Sequence, residues 1–131
     1  MVDRPAGAEP GLIRAYLAIV GVDPSEVSNM LGIKPATTLA AGRLLRSGIT
    51  APENRWEVRS EARASGGLSP VVRALLDNFS DWQVLRELSQ RARIEVEIAL
   101  YIGQEHIDAT LDADIVLRLA SIGAELLFFR Y

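Results

Sequence analysis

The chain has 131 residues, which is the length of one ordinary domain with a single hydrophobic core. Hydrophobic residues make up 49% and charged residues 24%, and this balance excludes both a disordered and a membrane-spanning class. The formal net charge is −3, which argues against a free-standing nucleic-acid binder. The chain contains no cysteine, so disulfides and thiolate metal sites are excluded. A cysteine-free composition suits a reducing compartment, and we expect a cytoplasmic protein.

Residues 1–11 contain two prolines and several charged side chains, and they are expected to form a flexible tail. Residues 12–131 are then a single α+β domain. Residues 12–20 place apolar side chains on both faces of an extended chain, which predicts an interior strand. This stretch is interrupted by Arg14 and is too short to cross a bilayer, so no membrane association is expected.

A short helix is predicted after this strand. Asp23 can accept hydrogen bonds from the first free amides of a helix, and Pro24 suits the first helical position. Gly32 is a typical residue for the end of such a helix. An extended segment is expected over residues 33–41, where Pro35 favours an edge position in the sheet.

The middle of the chain predicts one strand and two helices. Residues 43–55 are expected to form an irregular connection, and residues 56–61 alternate as in a short strand with one wet face. A helix that begins at Ser69 and Pro70 follows, and a second helix is expected to be capped by Ser80.

The clearest pattern in the chain covers residues 94–102. Apolar side chains occupy every second position, whereas Glu95 and Glu97 fall on the other face, as in a strand with one buried side. We expect this strand to be central in the sheet. A loop, a helix capped by Asp112 and an apolar strand at residues 124–131 complete the chain.

The order strand–helix–strand occurs twice, at residues 12–41 and again at residues 94–131. This repetition predicts a ferredoxin-like split βαβ sandwich, in which a mainly antiparallel sheet carries helices on one face. The short strand at Trp56 and the two extra helices would be elaborations between the halves. A different mixed sheet with helices on one side is the alternative topology.

Scattered single residues along this order carry a resemblance to a known family. They are the glycine that ends the first strand, the helix end Leu31-Gly32, Pro35, Thr38, Gly42, Trp56, the segment Leu-Ala-Ser-Ile-Gly-Ala and the closing Tyr131. From Leu12 to Tyr131 the chain resembles the bacterial domain-of-unknown-function family 4279. The last strand of that family often carries acidic residues near the final tyrosine, whereas this chain has Phe128, Phe129 and Arg130. The resemblance implies no activity, cofactor or catalytic residue.

Sequence motifs for catalysis are missing. The chain has no nucleophile elbow, no phosphate-binding glycine loop and no dinucleotide fingerprint. His106 is the single histidine, and Asp108, Asp112 and Asp114 lie close to it in sequence. We expect a solvated loop and not a metal site, because Asp112 and Asp114 suit the start of a helix. The prediction is therefore no catalytic residue, no metal and no cofactor, and an enzyme of unfamiliar type is the weakest hypothesis.

Charge is unevenly distributed along the chain. Residues 94–117 contain six acidic and no basic side chains. Glu95 and Glu97 are expected to form a cross-strand charge ladder with the arginines around Trp56. Alternatively, they and Asp108 form a polarised surface that binds a partner. The segment Leu-Tyr-Ile-Gly resembles one signature of RNA-recognition domains, but the second signature is absent, so no nucleic-acid partner is expected.

A candidate ligand or partner site lies near Trp56. Tryptophan and arginine are the side chains most enriched at binding hot spots, and Arg43, Arg46, Arg55 and Arg59 are close to Trp56 in sequence. Thr38 lies on the extended segment before them. These six residues therefore predict a concave site, and the alternative is that Trp56 is an anchor of the core.

Two functions follow from these patterns. The first hypothesis is a non-enzymatic protein–protein interaction module, comparable to small acidic immunity-type proteins that neutralise a toxin, with Glu95, Glu97 and Asp108 on its binding face. The second is a small-molecule-binding regulatory domain, by analogy with the fold alone. The apolar final strand adds the hypothesis of a homodimer, should that strand lie at a sheet edge.

Overall fold

The computed structural model describes residues 11–103 and 106–131. The predicted tail therefore lies outside the described residues except for Gly11. The amide of Gly11 donates to the carbonyl of Tyr101 at 2.6 Å, and its carbonyl accepts from the amide of Ala64 at 2.7 Å. Gly11 thus joins the ordered domain at the point where the first strand begins.

The described residues form five strands and four α-helices, and a 3₁₀ turn at Ala64–Gly66 precedes the second helix. The strands are β1 (Leu12–Val20), β2 (Thr37–Leu39), β3 (Arg55–Arg63), β4 (Arg93–Tyr101) and β5 (Glu125–Arg130). The helices are α1 (Pro24–Leu31), α2 (Leu68–Leu76), α3 (Trp82–Ser89) and α4 (Ala113–Ser121). In the described residues, no helix is long and apolar enough to cross a bilayer.

The strands form one open sheet in the order β2-β3-β1-β4-β5. The first three neighbouring pairs are antiparallel, and β4 pairs with β5 in parallel. The prediction of a mixed, mainly antiparallel sheet with helices is confirmed, and so is the edge position of β2. The ferredoxin-like arrangement is not confirmed: β3 separates β1 from β2 as in a split unit, but β4 and β5 are direct neighbours.

The prediction that residues 94–102 form the central strand is wrong, because β1 occupies the centre and β4 lies between β1 and β5. Alternation reports which face of a strand is buried, and it does not report which strands are neighbours. The better signal for a central position was in β1 itself, where Ala18 and Val20 are buried on the face opposite Leu17 and Ile19.

The hydrophobic core lies between one face of the sheet and the four helices. Ile13, Leu17 and Ile98 point to this core and are fully buried. We call the other side the open face; it carries Arg14, Tyr16 and Ala18 of β1 together with the residues beside them on β3 and β4. Helices therefore cover one side of the sheet, and the polar side chains of the strands gather on the other.

The helix ends agree with the predictions in part. The carboxylate of Asp23 accepts from the amide of Ser25 at 3.0 Å, and Gly32 closes α1 with a φ of 66°. The prediction that Ser80 caps α3 is wrong, because Asp81 accepts from the amide of Val84 at 3.3 Å. The carboxylate of Asp81 therefore caps α3 in place of the hydroxyl of the preceding residue, Ser80.

The start of α4 uses different contacts from those predicted. Asp112 occupies the N-cap position, but its side chain makes no capping hydrogen bond. Its carboxylate accepts instead from Arg73 of α2 at 2.7 Å. The hydroxyl of Ser69 bridges the two helices, because it donates to the carbonyl of Thr110 and accepts from the amide of Asp112, both at 2.9 Å.

Candidate ligand-binding site

A cavity of about 400 Å³ lies beside the edge strand β2. Three parts of the chain line it: β2, the first arm of the segment after it, and the start of β3. The lining residues are Thr37, Thr38, Leu39, Arg43, Leu44, Leu45, Arg46, Arg55 and Glu57. Apolar, hydroxyl and charged side chains therefore converge on one concave space, as in many sites for small molecules.

The register of β2 with β3 sets the floor of the cavity. Thr37 lies opposite Glu57, and Leu39 lies opposite Arg55. Residues directly opposite each other in an antiparallel pair point to the same face, and these four point to the open face. The floor is therefore built on regular strand pairing.

Residues 42–51 form a segment that we call the hairpin, and its residues 43–46 are the wall of the cavity. The amide of Gly42 donates to the carbonyl of Ala51 at 2.8 Å, and the amide of Leu45 donates to the carbonyl of Ile49 at 2.8 Å. Gly48 has a φ of 84°, a left-handed conformation that favours glycine and permits the tight turn. The connection that was predicted to be irregular is thus held by its own hydrogen bonds.

Arg55 joins the cavity to the charged part of the open face. Its guanidinium forms ion pairs with Glu57 at 2.7 Å, Glu95 at 3.1 Å and Glu97 at 2.9 Å. Because β1 lies between β3 and β4, the side chain must cross β1, and it does so at the small residue Ala18, which has Glu57 on one side and Glu95 on the other. The predicted charge ladder is confirmed. It joins β3 to β4 across the intervening strand β1.

The charge ladder is partly buried. Glu95 is only 7% exposed, and it also accepts from Arg93 at 3.3 Å. Burial lowers the pKa of the Arg55 guanidinium, but the hydrogen bond and charge of Glu57, with those of Glu95 and Glu97, outweigh burial and raise this pKa above its ordinary value. Arg55 is therefore a cation at neutral pH.

Arg43 and Arg46 differ from Arg55 in their surroundings. Both are exposed on the first arm of the hairpin and line the cavity. Neither forms an ion pair with any residue in the described part of the chain. The cavity thus contains one arginine whose charge is shared among carboxylates and two whose charges face solvent.

Trp56 lies on the opposite side of β3 from the cavity. It is fully buried, its indole N–H donates to the hydroxyl of Ser28 at 2.9 Å, and its ring lies 6.3 Å from that of Phe79. The sequence predicted Trp56 as part of the binding site, and its burial corrects that prediction. Trp56 is an anchor of the core, which was the alternative. Thr38 lies opposite Trp56 in the β2–β3 register and still lines the cavity.

The remaining predicted site residues lie elsewhere. Arg59 is exposed on the open face opposite Tyr16, outside the cavity. Asp108 packs at the start of α2, where its carbonyl accepts from the amide of Leu68 at 2.9 Å. Hydrogen bonding to Thr110 lowers the pKa of the Asp108 carboxyl. The structure therefore does not bring Asp108 together with Glu95 and Glu97.

The carboxylates around His106 have structural partners. Arg73 forms ion pairs with both Asp112 and Asp114 and so joins α2 to the start of α4. The hydrogen bond from Arg73 lowers the pKa of the Asp114 carboxyl. Within the described residues, no group of three or more His, Cys, Asp or Glu side chains is arranged to hold a metal ion.

Sequence reasoning missed several residues of the cavity. They are Thr37, Leu39, Leu44, Leu45 and Glu57, whereas Arg55 was among the arginines predicted around Trp56. Alternation offered a signal for Glu57: if Trp56 is buried in the core, its neighbours in a strand must point to the other face. The leucines carried no such signal, because the register of β2 with β3 brings Leu39 to the cavity and the hairpin brings Leu44 and Leu45 there.

These features define a small α+β domain with an open five-stranded sheet and a polar-rimmed cavity at one edge. The chain belongs to a family described as a domain of unknown function, DUF4279, whose family model matches residues 12–131. The resemblance noted in the sequence is thereby confirmed over nearly the whole chain. No curated protein and no solved structure matches the chain.

Proposed function

We propose that this protein is a non-enzymatic domain that binds a small molecule in the cavity between β2 and the hairpin. The observation that carries the proposal is the cavity itself, with a volume of about 400 Å³ and a lining that combines leucines, threonines and arginines. Pockets for small ligands are typically concave spaces of roughly 300–1,000 Å³ with a few convergent polar groups. We also propose that the protein acts in the bacterial cytoplasm, because its cysteine-free composition suits a reducing compartment.

The exposure of Leu44 supports this function. Leu44 lines the cavity and is 69% exposed, which is a large exposed area for a leucine. A ligand held against the hairpin would cover part of that apolar surface, and such burial is favourable at roughly 25 cal/mol per Å².

No catalytic step is part of the proposal. The residues that line the cavity include no histidine, and the chain has no cysteine. Among the described residues, Glu57 is the one carboxylate of the lining, and it is in an ion pair with Arg55. A carboxylate held in this way by a permanent cation is poorly suited to accept a proton from a substrate.

The proposal is tested by NMR with a panel of small organic acids, alcohols and amines. We expect at least one compound to shift the backbone amides of residues 37–39 and 43–46, with little change in α2 and α4. The same compound is expected to raise the melting temperature of the protein, because a ligand that binds only the folded state stabilises it. Shifts confined to other regions, or none with any compound, would contradict the proposal.

A second candidate function, protein–protein interaction, is supported by the position of β5. β5 is an edge strand, and it carries the exposed side chains of Leu126, Phe128 and Phe129, which are 39%, 53% and 45% exposed. The structure gives less support to binding of a partner through an acidic face, because Glu95 and Glu97 are already paired with Arg55.

For this second candidate function, the proposed partner is a second copy of the chain. The amide of Tyr131 donates to Leu100 of β4, so by alternation the backbone groups of Leu126 and Phe128 point away from the sheet. Two such edges can pair antiparallel about a two-fold axis, which extends the sheet and covers the phenylalanines.

Sedimentation equilibrium tests the dimer. The wild type is expected to be a dimer at micromolar concentration, and Phe128→Glu is expected to be a monomer. Leu117→Glu is the matched control, because Leu117 is 70% exposed on α4 and is not part of the edge strand. A monomeric wild type, or equal effects of the two substitutions, would exclude pairing through β5.

A further inference from the structure

We propose that the ligand of the cavity is an amphipathic organic anion, whose carboxylate or phosphate group binds Arg43 and Arg46 and whose apolar part lies against the leucines. This inference rests on the proposed small-molecule function and names the chemical class of the ligand. The observation behind it is that Arg55 is paired with carboxylates, whereas Arg43 and Arg46 form no ion pair with any described residue.

The first step is the distribution of charge. The cavity is lined by three arginines and one glutamate, a local charge of 3 − 1 = +2. Glu57 is paired with Arg55, and Arg55 is also held by Glu95 and Glu97. The positive charge that remains for a ligand therefore belongs to Arg43 and Arg46.

The second step is the geometry of recognition. A guanidinium presents N–H donors in a planar fork that matches the two oxygens of a carboxylate or phosphate group. Arg43 and Arg46 lie on the same arm of the hairpin, three residues apart, and both line the cavity. Thr37 of the floor also lines the cavity, so its hydroxyl adds a further donor for an anion bound by the two arginines.

The third step concerns the apolar part of the ligand. Leu39 comes from the floor, and Leu44 and Leu45 come from the wall. An inorganic ion would leave these three leucines uncovered, whereas an alkyl or aromatic group would bury their surface against its own. The combination of leucines with unpaired arginines thus selects molecules that carry both a negative charge and an apolar group.

The same arrangement disfavours cations. A cationic ligand would approach two arginines and find only Glu57, whose carboxylate is already bound by Arg55. Neutral alcohols could occupy the apolar part, but they would form no charge-assisted hydrogen bond with the hairpin.

The test uses four probes with the same alkyl chain: octanoate, octyl phosphate, octanol and octylamine, each below its critical micelle concentration. Affinities are measured by calorimetry, and the site is located from amide shifts of residues 37–39 and 43–46. Octanoate and octyl phosphate are expected to bind at least tenfold more tightly than octanol and octylamine. The ratio of the two anions tells which headgroup is preferred.

The charge variants complete the test. Arg43→Gln combined with Arg46→Gln is expected to weaken both anions at least tenfold and to leave octanol unchanged. Arg59→Gln is the matched control, because Arg59 is an exposed arginine of β3 outside the cavity, and it is expected to bind anions as the wild type does. Both variants should unfold at the wild-type urea concentration, which separates binding from folding.

The outcomes separate this inference from the function on which it rests. If octanol binds in the cavity as tightly as octanoate, or if the double variant keeps full affinity for the anions, the anionic class is overturned while ligand binding in the cavity stands. If none of the probes, and no compound of the wider panel, shifts the amides around the cavity, both are overturned.

Discussion

Replacing Arg55 by methionine is expected to destabilise the fold more than any other change of a surface charge on β3. The side chain of Arg55 is 25% exposed, and its guanidinium binds Glu57, Glu95 and Glu97. Methionine keeps much of the apolar stem of the side chain and removes the cation. The substitution therefore leaves three carboxylates close together with only Arg93 still bound to Glu95.

The magnitude follows from burial and from the remaining contacts. Removal of one partner of a fully buried ion pair typically costs about 3–5 kcal/mol, because a charge is left without compensation. Glu95 is 7% exposed, but Glu97 and Arg55 reach solvent, and Arg93 still neutralises part of the charge on Glu95. We therefore expect Arg55→Met to lower the free energy of unfolding by roughly 2–3 kcal/mol.

Urea denaturation followed by circular dichroism measures this loss. Arg59→Met is the matched control, because it makes the same change on the same strand at an exposed side chain, and its expected effect is within about 0.5 kcal/mol. A double-mutant cycle of Arg55→Met with Glu95→Gln should give a coupling energy of at least about 1 kcal/mol. Equal losses for Arg55→Met and Arg59→Met would refute the reasoning.

Three further predictions concern other contacts, and each is checked by urea denaturation. Trp56→Phe should cost about 2–3 kcal/mol, because it removes the hydrogen bond to Ser28 and leaves unfilled core volume; a change below 1 kcal/mol would contradict this. Gly67→Ala should cost more than about 1 kcal/mol, since φ is 83° and a Cβ would lie 3.3 Å from the carbonyl oxygen of Asp108; a neutral result would exclude strain there. The lowered pKa of Asp114 means that its contribution to stability is present above its unfolded pKa and is lost as pH falls through the lower folded pKa. Asp114→Asn should therefore destabilise at neutral pH and converge with wild type in acid, and a pH-independent difference would argue against the ion pair.

Local signals in the sequence were sufficient for most of the elements. The bounds of β1 and α1 were predictable because Asp23, Pro24 and Gly32 act within one turn of the chain, through their own backbone preferences and short hydrogen bonds. The strand at residues 93–101 was predictable from alternation, which depends only on the burial of one face.

The order of strands and the cavity could not be predicted in this way. The pairing of β4 with β1 on one side and with β5 on the other depends on packing between segments far apart in sequence. The position of Arg55 over Ala18 depends on that order, since two of its carboxylate partners, Glu95 and Glu97, are 40 and 42 residues away. Arg43 and Arg46 were identified as candidates, but the leucines of the cavity were not, because Leu44 and Leu45 reach it through the hydrogen bonds of the hairpin and Leu39 through the register of β2 with β3.

The measurement that tests the central claim most directly is a comparison of two tryptophan variants of the hairpin. Leu44 and Ile49 are both exposed, at 69% and 65%, but Leu44 lines the cavity and Ile49 does not. Leu44→Trp is expected to fill the cavity and abolish the binding of octanoate measured by calorimetry, whereas Ile49→Trp should bind octanoate as the wild type does. Wild-type affinity in Leu44→Trp, or equal loss in both variants, would contradict the assignment of the cavity as the binding site.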